Sequence, residues 1–336
     1  MKGVLKLIMT ICVVAMAAGC GSRQWRSYRG LTCGTACNIS YRSGTDLNDS
    51  ITSLLVLIER EISVFDTLSP VTALNRGESV IASDILRRAF EASKDIAAMS
   101  GGACDPTVGP LVELWGFGRS KERNIPSDNE IEAALATVGI AGCSITSDGV
   151  ITKKSQLTQF NFGAIGKGLA AREIAQMLHR NGVTDCMVEI GGDVSLLGRN
   201  PRGTEWLLQI DAPVENDSIP SHMELLRIAV TDCGIATSGN YRNYRDYSQD
   251  QRYGHTINPA TGRPVKTDVL SATVIAPDAA IADGLATACM VMGSGEALAM
   301  ADRLEGVEIM LVTATDSLMT GSPWHIATSP GFPIPR

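Results

Sequence analysis

The sequence predicts a single α+β domain, mainly antiparallel sheet with helices packed on it. Three observations carry this expectation. Short β-patterned runs are joined by brief polar turns, helical periodicity comes in blocks, and no linker of biased composition divides the chain. The 336 residues include 33 glycines and few aromatics, which suits a compact globular protein with a large core rather than a fibrous or disordered one.

At the N-terminus, Lys2 and Lys6 precede a short apolar run over residues 7–18. That run is too short to span a bilayer comfortably and has the layout of a secretory signal, so residues 1–19 read as a signal peptide. It ends Ala17-Ala18-Gly19-Cys20, which resembles a bacterial lipobox; Cys20 is then the lipidated first residue of the mature chain. An ordinary signal with an incidental cysteine is the alternative. The lipobox reading implies a membrane lipoprotein facing the periplasm. The inner membrane is preferred to the outer, although Gly21 does not supply the aspartate that often marks inner-membrane retention. Residues 20–30 then read as a lipidated polar tether, and residues 31–336 as one domain.

Within that domain, residues 31–43 read as a strand. Ile51, Leu54, Leu55, Ile58 and Ile62 give residues 46–63 a helical period, with Asp46 or Asn48 as cap. Residues 83–100 form a second helix and 127–137 a third, opened by a capping box of Ser127 and Glu130. Short strands are expected at 149–152 and 158–162, and an amphipathic helix over 169–178. Residues 186–190, 206–211 and 226–231 are β-like, and 234–247 loop or edge. A strand at 270–275, helices at 279–292 and 295–304, and a last strand at 308–313 complete the order.

Loss of Lys2 and Lys6 takes the formal charge from −7 to −9, so the mature chain is acidic. Nucleic acid is an unsuitable partner, because phosphate contacts need clustered lysine and arginine. Beyond Cys12 and Cys20, seven cysteines remain without the tight spacing of a disulfide scaffold. Several, such as Cys186 and Cys289, lie in apolar contexts that suit a small buried hydrophobe. Cys33 and Cys37 are close enough to invite a metal or redox reading, but no second pair follows and they read as structural.

The most informative stretch is Gln159-Phe160-Asn161-Phe162-Gly163-Ala164-Ile165-Gly166-Lys167-Gly168-Leu169-Ala170. A glycine-studded turn leads into a helix, exposing backbone groups where the positive end of the helix dipole favours an anion, and Lys167 adds a fixed charge. Its spacing matches neither a Walker A loop nor the Rossmann G-x-G-x-x-G. Four further motifs surround it. Asp105-Pro106-Thr107-Val108-Gly109-Pro110 runs on to Leu114-Trp115-Gly116-Phe117-Gly118. Glu189-Ile190-Gly191-Gly192-Asp193 closes a strand. Ile235-Ala236-Thr237-Ser238-Gly239-Asn240-Tyr241-Arg242 precedes Tyr253-Gly254-His255-Thr256-Ile257-Asn258-Pro259-Ala260-Thr261-Gly262-Arg263-Pro264. Ala282-Asp283-Gly284-Leu285-Ala286-Thr287-Ala288 comes last.

Taken in order, over about residues 32–330, these motifs closely resemble the FAD:protein FMN transferase family, the ApbE-like flavin-trafficking lipoproteins. The resemblance implies a T-fold-like flavin transferase architecture. It also implies a magnesium-dependent enzyme that splits FAD at its pyrophosphate, joins FMN to a threonine of an extracytoplasmic acceptor flavoprotein, and releases AMP. A hard divalent cation suits the charge that builds on phosphoryl oxygens in such a cleavage.

By the same resemblance the metal ligands fall on Asp283, Thr287 and the carbonyl of Ala164. Asp283 and Thr287 are four apart, so on a helix they share a face. Ala286 occupies a position where the family often has a second carboxylate. His255 falls in the flavin site and is the expected general base for the acceptor threonine, work that histidine's ordinary pKa of about 6.5 suits. Cys33 and Phe65 flank the flavin or adenine rings, Ala103, Cys104 and Asp105 line the pocket, Asn161 and Lys167 stand beside the pyrophosphate or adenosine, and Ile257 neighbours His255. Three positions depart from the family pattern. Cys33 replaces a usual methionine, and Asn161 and Asn258 replace usual aspartates. FAD hydrolysis to FMN and AMP, and non-catalytic FAD storage, are the alternatives to transfer.

Overall fold

The chain enters its fold through β1 (Gln24–Thr32) and β2 (Thr35–Ser43), then runs through α1 (Asn48–Ile62), α2 (Pro70–Asn75), α3 (Asp84–Met99), α4 (Gly109–Leu114) and α5 (Asp128–Leu135). A minor hairpin, β3 (Ser144–Ile145) and β4 (Ile151–Thr152), precedes α6 (Gly166–Arg180). The second half contains β5 (Cys186–Ile190), β6 (Asp193–Leu197), β7 (Trp206–Asp211), β8 (Glu224–Val230), β9 (Gly234–Gly239), β10 (Tyr244–Ser248), β11 (Gln251–Gly254) and β12 (Val269–Ala276). It closes with α7 (Ala279–Met292), α8 (Ser294–Ala301), β13 (Glu308–Ala314) and β14 (Trp324–Thr328). The computed structural model describes residues 23–119, 125–214, 223–239, 244–248, 251–314 and 324–336. Residues 1–19 and Cys20, expected as signal and lipidation site, lie outside the described residues. No helix among the described residues is long and apolar enough to cross a membrane.

The main sheet has eight strands in the order β1-β2-β5-β6-β9-β12-β13-β14, and every pairing in it is antiparallel. Its inner strands are buried on both faces, with alternate residues facing opposite ways. Ala272 and Val274 of β12 and Ile309 and Leu311 of β13 pack under the helices. Ile275, Met310 and Val312 point the other way, where the β7–β8 hairpin covers them with Trp206, Ile210, Ile228 and Val230. A third cluster of Leu111, Trp115, Ile131, Val138 and Ile257 lies outside the sheet.

The expected α+β class with mainly antiparallel sheet is therefore found, and most helices fall where periodicity and caps put them. Ser83 caps α3 through the Leu86 N–H, and Ser127 and Glu130 form the capping box of α5. Four expectations need correction. Residues 24–30 are not tether but the body of β1. Residues 31–43 are not one strand but the end of a hairpin, turned at Cys33 and Gly34, whose φ angles of 50° and 71° are both positive as a two-residue type I′ turn demands. Residues 158–162 form no strand. The Asn75 side chain receives the Phe160 N–H at 2.7 Å and donates to its carbonyl at 2.8 Å, and on the other side only a single parallel bridge, Gln159 to Val108, is made.

The fourth correction concerns residues 234–239 of the stretch expected as loop or edge: they form β9, which sits inside the sheet between β6 and β12, while β10 lies in a separate two-stranded pair with β11. The glycine start of β9 is a packing requirement, since a Cβ on Gly234 would stand 2.2 Å from the Ala279 nitrogen at the beginning of α7. Gly234→Ala is therefore expected to push sheet and helix apart and to destabilise the protein by about 1–3 kcal/mol, the usual range for overpacking. A urea midpoint indistinguishable from that of the unsubstituted protein would contradict this close approach.

Candidate functional site

Helix α6 begins at Gly166 without a side-chain cap on its preceding residue, Ile165. Its missing cap comes from another helix. Asp283 of α7 accepts the Gly168 N–H through Oδ2 at 2.9 Å. The approach depends on Gly168, where a Cβ would meet the Ala279 carbonyl oxygen at 2.2 Å and Asp283 Cβ at 2.7 Å. Gly168 is the third residue of α6, so its N–H is one of the donors that a helix start leaves without an intrahelical carbonyl. Here Asp283 takes that donor, and among the described residues no backbone N–H donates to the Ala164 carbonyl.

Lys167 brings the charge. Its Nζ is hydrogen-bonded to Asp193 Oδ2 and lies 3.4 Å from Asp283 Oδ1. Both carboxylates are withdrawn from water, with residue exposures of 1% for Asp193 and 3% for Asp283. Asp193 opens β6 after the Gly191-Gly192 turn. Gly191, at φ 56°, lets that turn pass close to the lysine stem; a Cβ there would meet Thr35 Cγ2 at 2.5 Å and Lys167 Cδ at 3.2 Å. Burial raises the Asp193 pKa well above the ordinary carboxylate value and the Asp283 charge raises it further, while Lys167 pulls it back. Burial alone would lower the Lys167 pKa, but the Asp283 and Asp193 carboxylates outweigh it and hold the ammonium above its ordinary value. The cluster is thus a shared cation between two buried acids.

Around it stand several of the residues singled out from the sequence. Cys104 is buried, and burial followed by the charges of Asp283 and Asp105 pushes its thiol pKa up to about 12. Burial likewise raises Cys33, against a lowering Thr32 hydrogen bond, with Glu59 and Asp283 raising it and Lys167 lowering it. Both thiols therefore sit within electrostatic reach of Asp283 and are protonated at neutral pH. Thr287 lies one turn beyond Asp283, its hydroxyl 3.4 Å from Ser238 Oγ of β9. Ala103 is half-buried. The structure thus gathers Cys33, Cys104, Lys167 and Asp283 in one place, with Ala164 at the start of the same helix.

Other expected residues have local partners. Asp105 Oδ1 accepts from the Thr107 N–H at 2.8 Å and from its hydroxyl, and Oδ2 accepts from the Ile140 N–H at 2.9 Å. Asn161 Oδ1 accepts the Gly163 N–H at 2.9 Å and shapes the turn that presents Ala164. Phe65, beyond the end of α1, is 68% exposed. Ile257 is buried and bridges to Pro264, whereas His255, two residues earlier, is exposed on the loop after β11. The seven described cysteines are all free. Asp193 was not among the expected site residues, although the Gly-Gly-Asp ending of its motif was the signal that could have named it.

Magnesium is the metal that the resemblance implies, and the donors present suit it. The unclaimed Ala164 carbonyl, the Asp283 carboxylate and the Thr287 hydroxyl are all hard oxygens of the kind that ion selects. No cluster of three or more His, Cys, Asp or Glu ligands occurs among the described residues, so nothing there resembles a zinc or iron centre.

Fold and site together define an α+β protein whose phosphate-loop-like element is capped by a carboxylate from a second helix, unlike a Walker or Rossmann loop. The chain belongs to the ApbE family, whose model matches residues 33–311. It is 33% identical over 322 residues to the FAD:protein FMN transferase of Vibrio cholerae, covering 92% of this chain and 94% of that one. The FAD:protein FMN transferase of Escherichia coli K12 is 30% identical over 283 residues, covering 82% and 79%. Among solved structures, the flavin transferase ApbE from Vibrio cholerae superimposes with a TM-score of 0.79 at 31% identity, covering 92% of this chain and 98% of its own.

Removing the shared cation should expose the acids to each other. Lys167→Met is expected to cost about 2–3 kcal/mol at neutral pH, less than the 3–5 of a fully buried pair because the lysine side chain keeps 31% exposure. The sign with pH follows from Asp193. Without Lys167 its folded pKa rises further above the unfolded value, so the native state binds more protons and loses stability as pH rises. The deficit of the variant should therefore shrink between about pH 8 and about pH 5. Urea midpoints that show a constant deficit over that range would contradict the arrangement.

Proposed function

We propose that this protein is an FAD:protein FMN transferase that moves FMN from FAD to an acceptor threonine, releasing AMP. The observation that carries the reading is the Lys167 cation at the opening of α6, held between Asp193 and Asp283. It stands in a chain that matches the Vibrio cholerae FAD:protein FMN transferase over nearly its whole length. Transfer of this kind requires neutralising charge on phosphoryl oxygens, and a lysine fixed at a helix N-terminus does so with little reorganisation.

The reaction proposed is an in-line exchange at the flavin-side phosphorus of FAD. The threonine oxygen forms a new P–O bond, the pyrophosphate P–O bond breaks, and AMP leaves with the bridging oxygen. The threonine proton passes to an imidazole nitrogen of His255, which is exposed and so open to an incoming protein. Asp283, Thr287 and the Ala164 carbonyl would hold magnesium, which when bound supplies further positive charge to the pyrophosphate. Lys167 orients the phosphates, while Gly168 keeps α7 close enough for Asp283 to cap α6. Cys33, Phe65, Ala103, Cys104, Asp105, Asn161 and Ile257 are proposed to line the FAD site. The protonated thiols offer soft apolar contact rather than a nucleophile. The signal and Cys20 are proposed to place this chemistry on the periplasmic side of a membrane, by a lipid anchor, among flavoprotein acceptors.

Mass spectrometry tests the reading directly. Incubation with magnesium, FAD and a threonine-containing periplasmic flavoprotein domain should add one FMN mass to that domain and release one equivalent of AMP. AMP without an FMN adduct would select hydrolysis instead, and bound FAD without turnover would select storage. Asp283→Ala should abolish the adduct, and normal transfer by that variant would remove Asp283 from the metal site. His255→Ala should slow transfer by about 10²–10⁴-fold with FAD affinity kept, the usual contribution of a general base. Loss of FAD affinity in proportion to rate would instead make His255 a binding residue.

A further inference from the structure

The end of the main sheet away from the proposed transfer site carries arginines that the chemistry does not use. Three segments run between the two ends. Strand β6 leads from Asp193 towards Arg199, β1 from Gln24 to Thr32 beside Cys33, and α6 from Gly166 to Arg180. At about 3.3 Å per strand residue and about 1.5 Å per helix residue, they place the far end about 20–30 Å from the Lys167 cluster. The strand ends meet there. Gln24 stands opposite Ser43, the Arg42 N–H donates to the Asp185 carbonyl at 2.9 Å, and the Arg199 N–H donates to Asp185 Oδ1 at 3.0 Å. Asn200 accepts the Arg202 N–H at 2.8 Å and so folds the turn that follows β6. Arg23, Arg42, Arg180, Arg199 and Arg202 are all exposed at this end.

Three acids at the same end are already engaged. Asp185 faces Arg42 at 3.7 Å, Asp46 faces Arg26 at 3.5 Å, and Asp232 Oδ1 accepts the Gly198 N–H at 2.7 Å. Among the described residues no carboxylate pairs with Arg23, Arg180, Arg199 or Arg202. Four unpaired guanidinium groups, in a chain of net charge −7, are a local reversal of sign. Their forked donors match the oxygens of a phosphate.

What these groups face is set by chain length. Only residues 21–23 separate Cys20, the proposed lipidation site, from β1. The four steps from Cys20 to Gln24 reach at most about 14 Å. The start of β1 lends no slack, because Trp25 packs edge-on against Trp206 with ring centroids 5.8 Å apart, pinning the strand to the β7–β8 hairpin. A lipid on Cys20 therefore holds this end of the sheet within about 14 Å of a bilayer. An anchor alone fixes that proximity and leaves the domain free to tilt. The arginines supply the orientation, since each basic residue near an anionic surface adds to the attraction.

We infer that the arginine end seats on an anionic bilayer, its free guanidinium groups against lipid phosphates, and holds the transfer site about 20–30 Å above the membrane, facing away from it. The inference rests on the lipid-anchor reading for the closeness of the bilayer, and on the arginines alone for the sign of its surface.

Hydrogen–deuterium exchange tests this on the full lipidated protein. It is reconstituted in vesicles of phosphatidylcholine alone and of phosphatidylcholine with about 30% phosphatidylglycerol. The anchor holds the protein on both, so the difference between them reports the arginines. On the anionic vesicles, amides of residues 180–185 and 198–204 should exchange at least about threefold more slowly than on the neutral ones, while those of residues 189–193, at the transfer site, should not change. About 0.5 M salt should remove the protection. Arg199→Glu combined with Arg202→Glu should also remove it, and Arg180→Glu, on a separate element, should weaken it. Unchanged exchange of residues 189–193 in every variant shows that the fold is kept. Equal exchange on the two vesicles would overturn the inference, as would protection of the transfer site in place of the arginine end, or protection that survives the paired substitutions. The mass of the N-terminal peptide separates the two readings. An unacylated Cys20 would sink the anchor, and the arginine end is then judged by flotation. Floating with the anionic vesicles and not the neutral ones would uphold it, and floating with neither would overturn it.

Discussion

One cation, Lys167, stands between two acids that cannot both remain ionised and buried without it. Asp193 and Asp283 come from elements 90 residues apart in sequence, a strand start and a helix, and they meet only because α6 opens between them. The rest of the site follows from keeping that meeting possible. Gly168 lets α7 approach so that Asp283 can cap α6, and Gly191 lets the β5–β6 turn pass the lysine stem. Exchange of either glycine would move a carboxylate before it touched any ligand. Asp283 supplies the cap of α6 by accepting the Gly168 N–H, and the Ala164 carbonyl, just ahead of that helix, accepts no backbone N–H among the described residues.

The sheet explains why such a cluster can be held to close tolerance. Its inner strands are covered on both sides, by helices on one face and by β7–β8 on the other, so neither β6 nor β9 has room to shift. Asp193 leads into β6, and Ser238, the neighbour of Thr287, lies on β9. The proposed ligand set is therefore anchored to the most constrained part of the molecule. His255, by contrast, is exposed on a loop outside the sheet, between Tyr253 and Ile257 of the small Leu111–Trp115–Ile131 cluster. A fixed phosphate site and a separately supported loop are what a reaction between a small nucleotide and a second protein would use.

Much of this was legible in the sequence, and the failures have physical causes. Helices α1, α3, α5 and α7 announced themselves because apolar periodicity and caps such as Ser83 and Ser127 are local properties. Strand β9 did not, because Gly-Ile-Ala-Thr-Ser-Gly is dominated by small residues chosen for close packing against α7 rather than for β propensity. Residues 158–162 misled in the opposite direction. Phe160 and Phe162 pattern as a strand, but a side-chain amide from Asn75 pairs with the backbone of Phe160, and no local signal encodes that. At the site, Lys167 and Asp283 were readable from motif and resemblance. Asp193 escaped because its function lies in a pairing across 26 residues, visible only once the chain is folded.

The departures of this chain from its relatives' usual pattern can be judged by what the altered side chains touch. Asn161 and Asn258 stand where aspartates are common, and loss of two charges near a nucleotide site would ordinarily suggest loss of function. Each, however, uses its side-chain oxygen to accept a backbone N–H within its own turn, from Gly163 in one case and Ala260 in the other. An amide oxygen meets that need as a carboxylate does, which is why asparagine and aspartate are interchangeable in such turns. The charge proposed to handle phosphate sits elsewhere, on Lys167, which is paired with Asp193 and Asp283. Cys33 follows the same logic. It occupies a left-handed position in a hairpin turn, where its contribution is a half-buried, protonated and apolar side chain close to Asp283. A thioether would fill that place with the same chemistry, so the exchange alters the size of the contact and leaves its character.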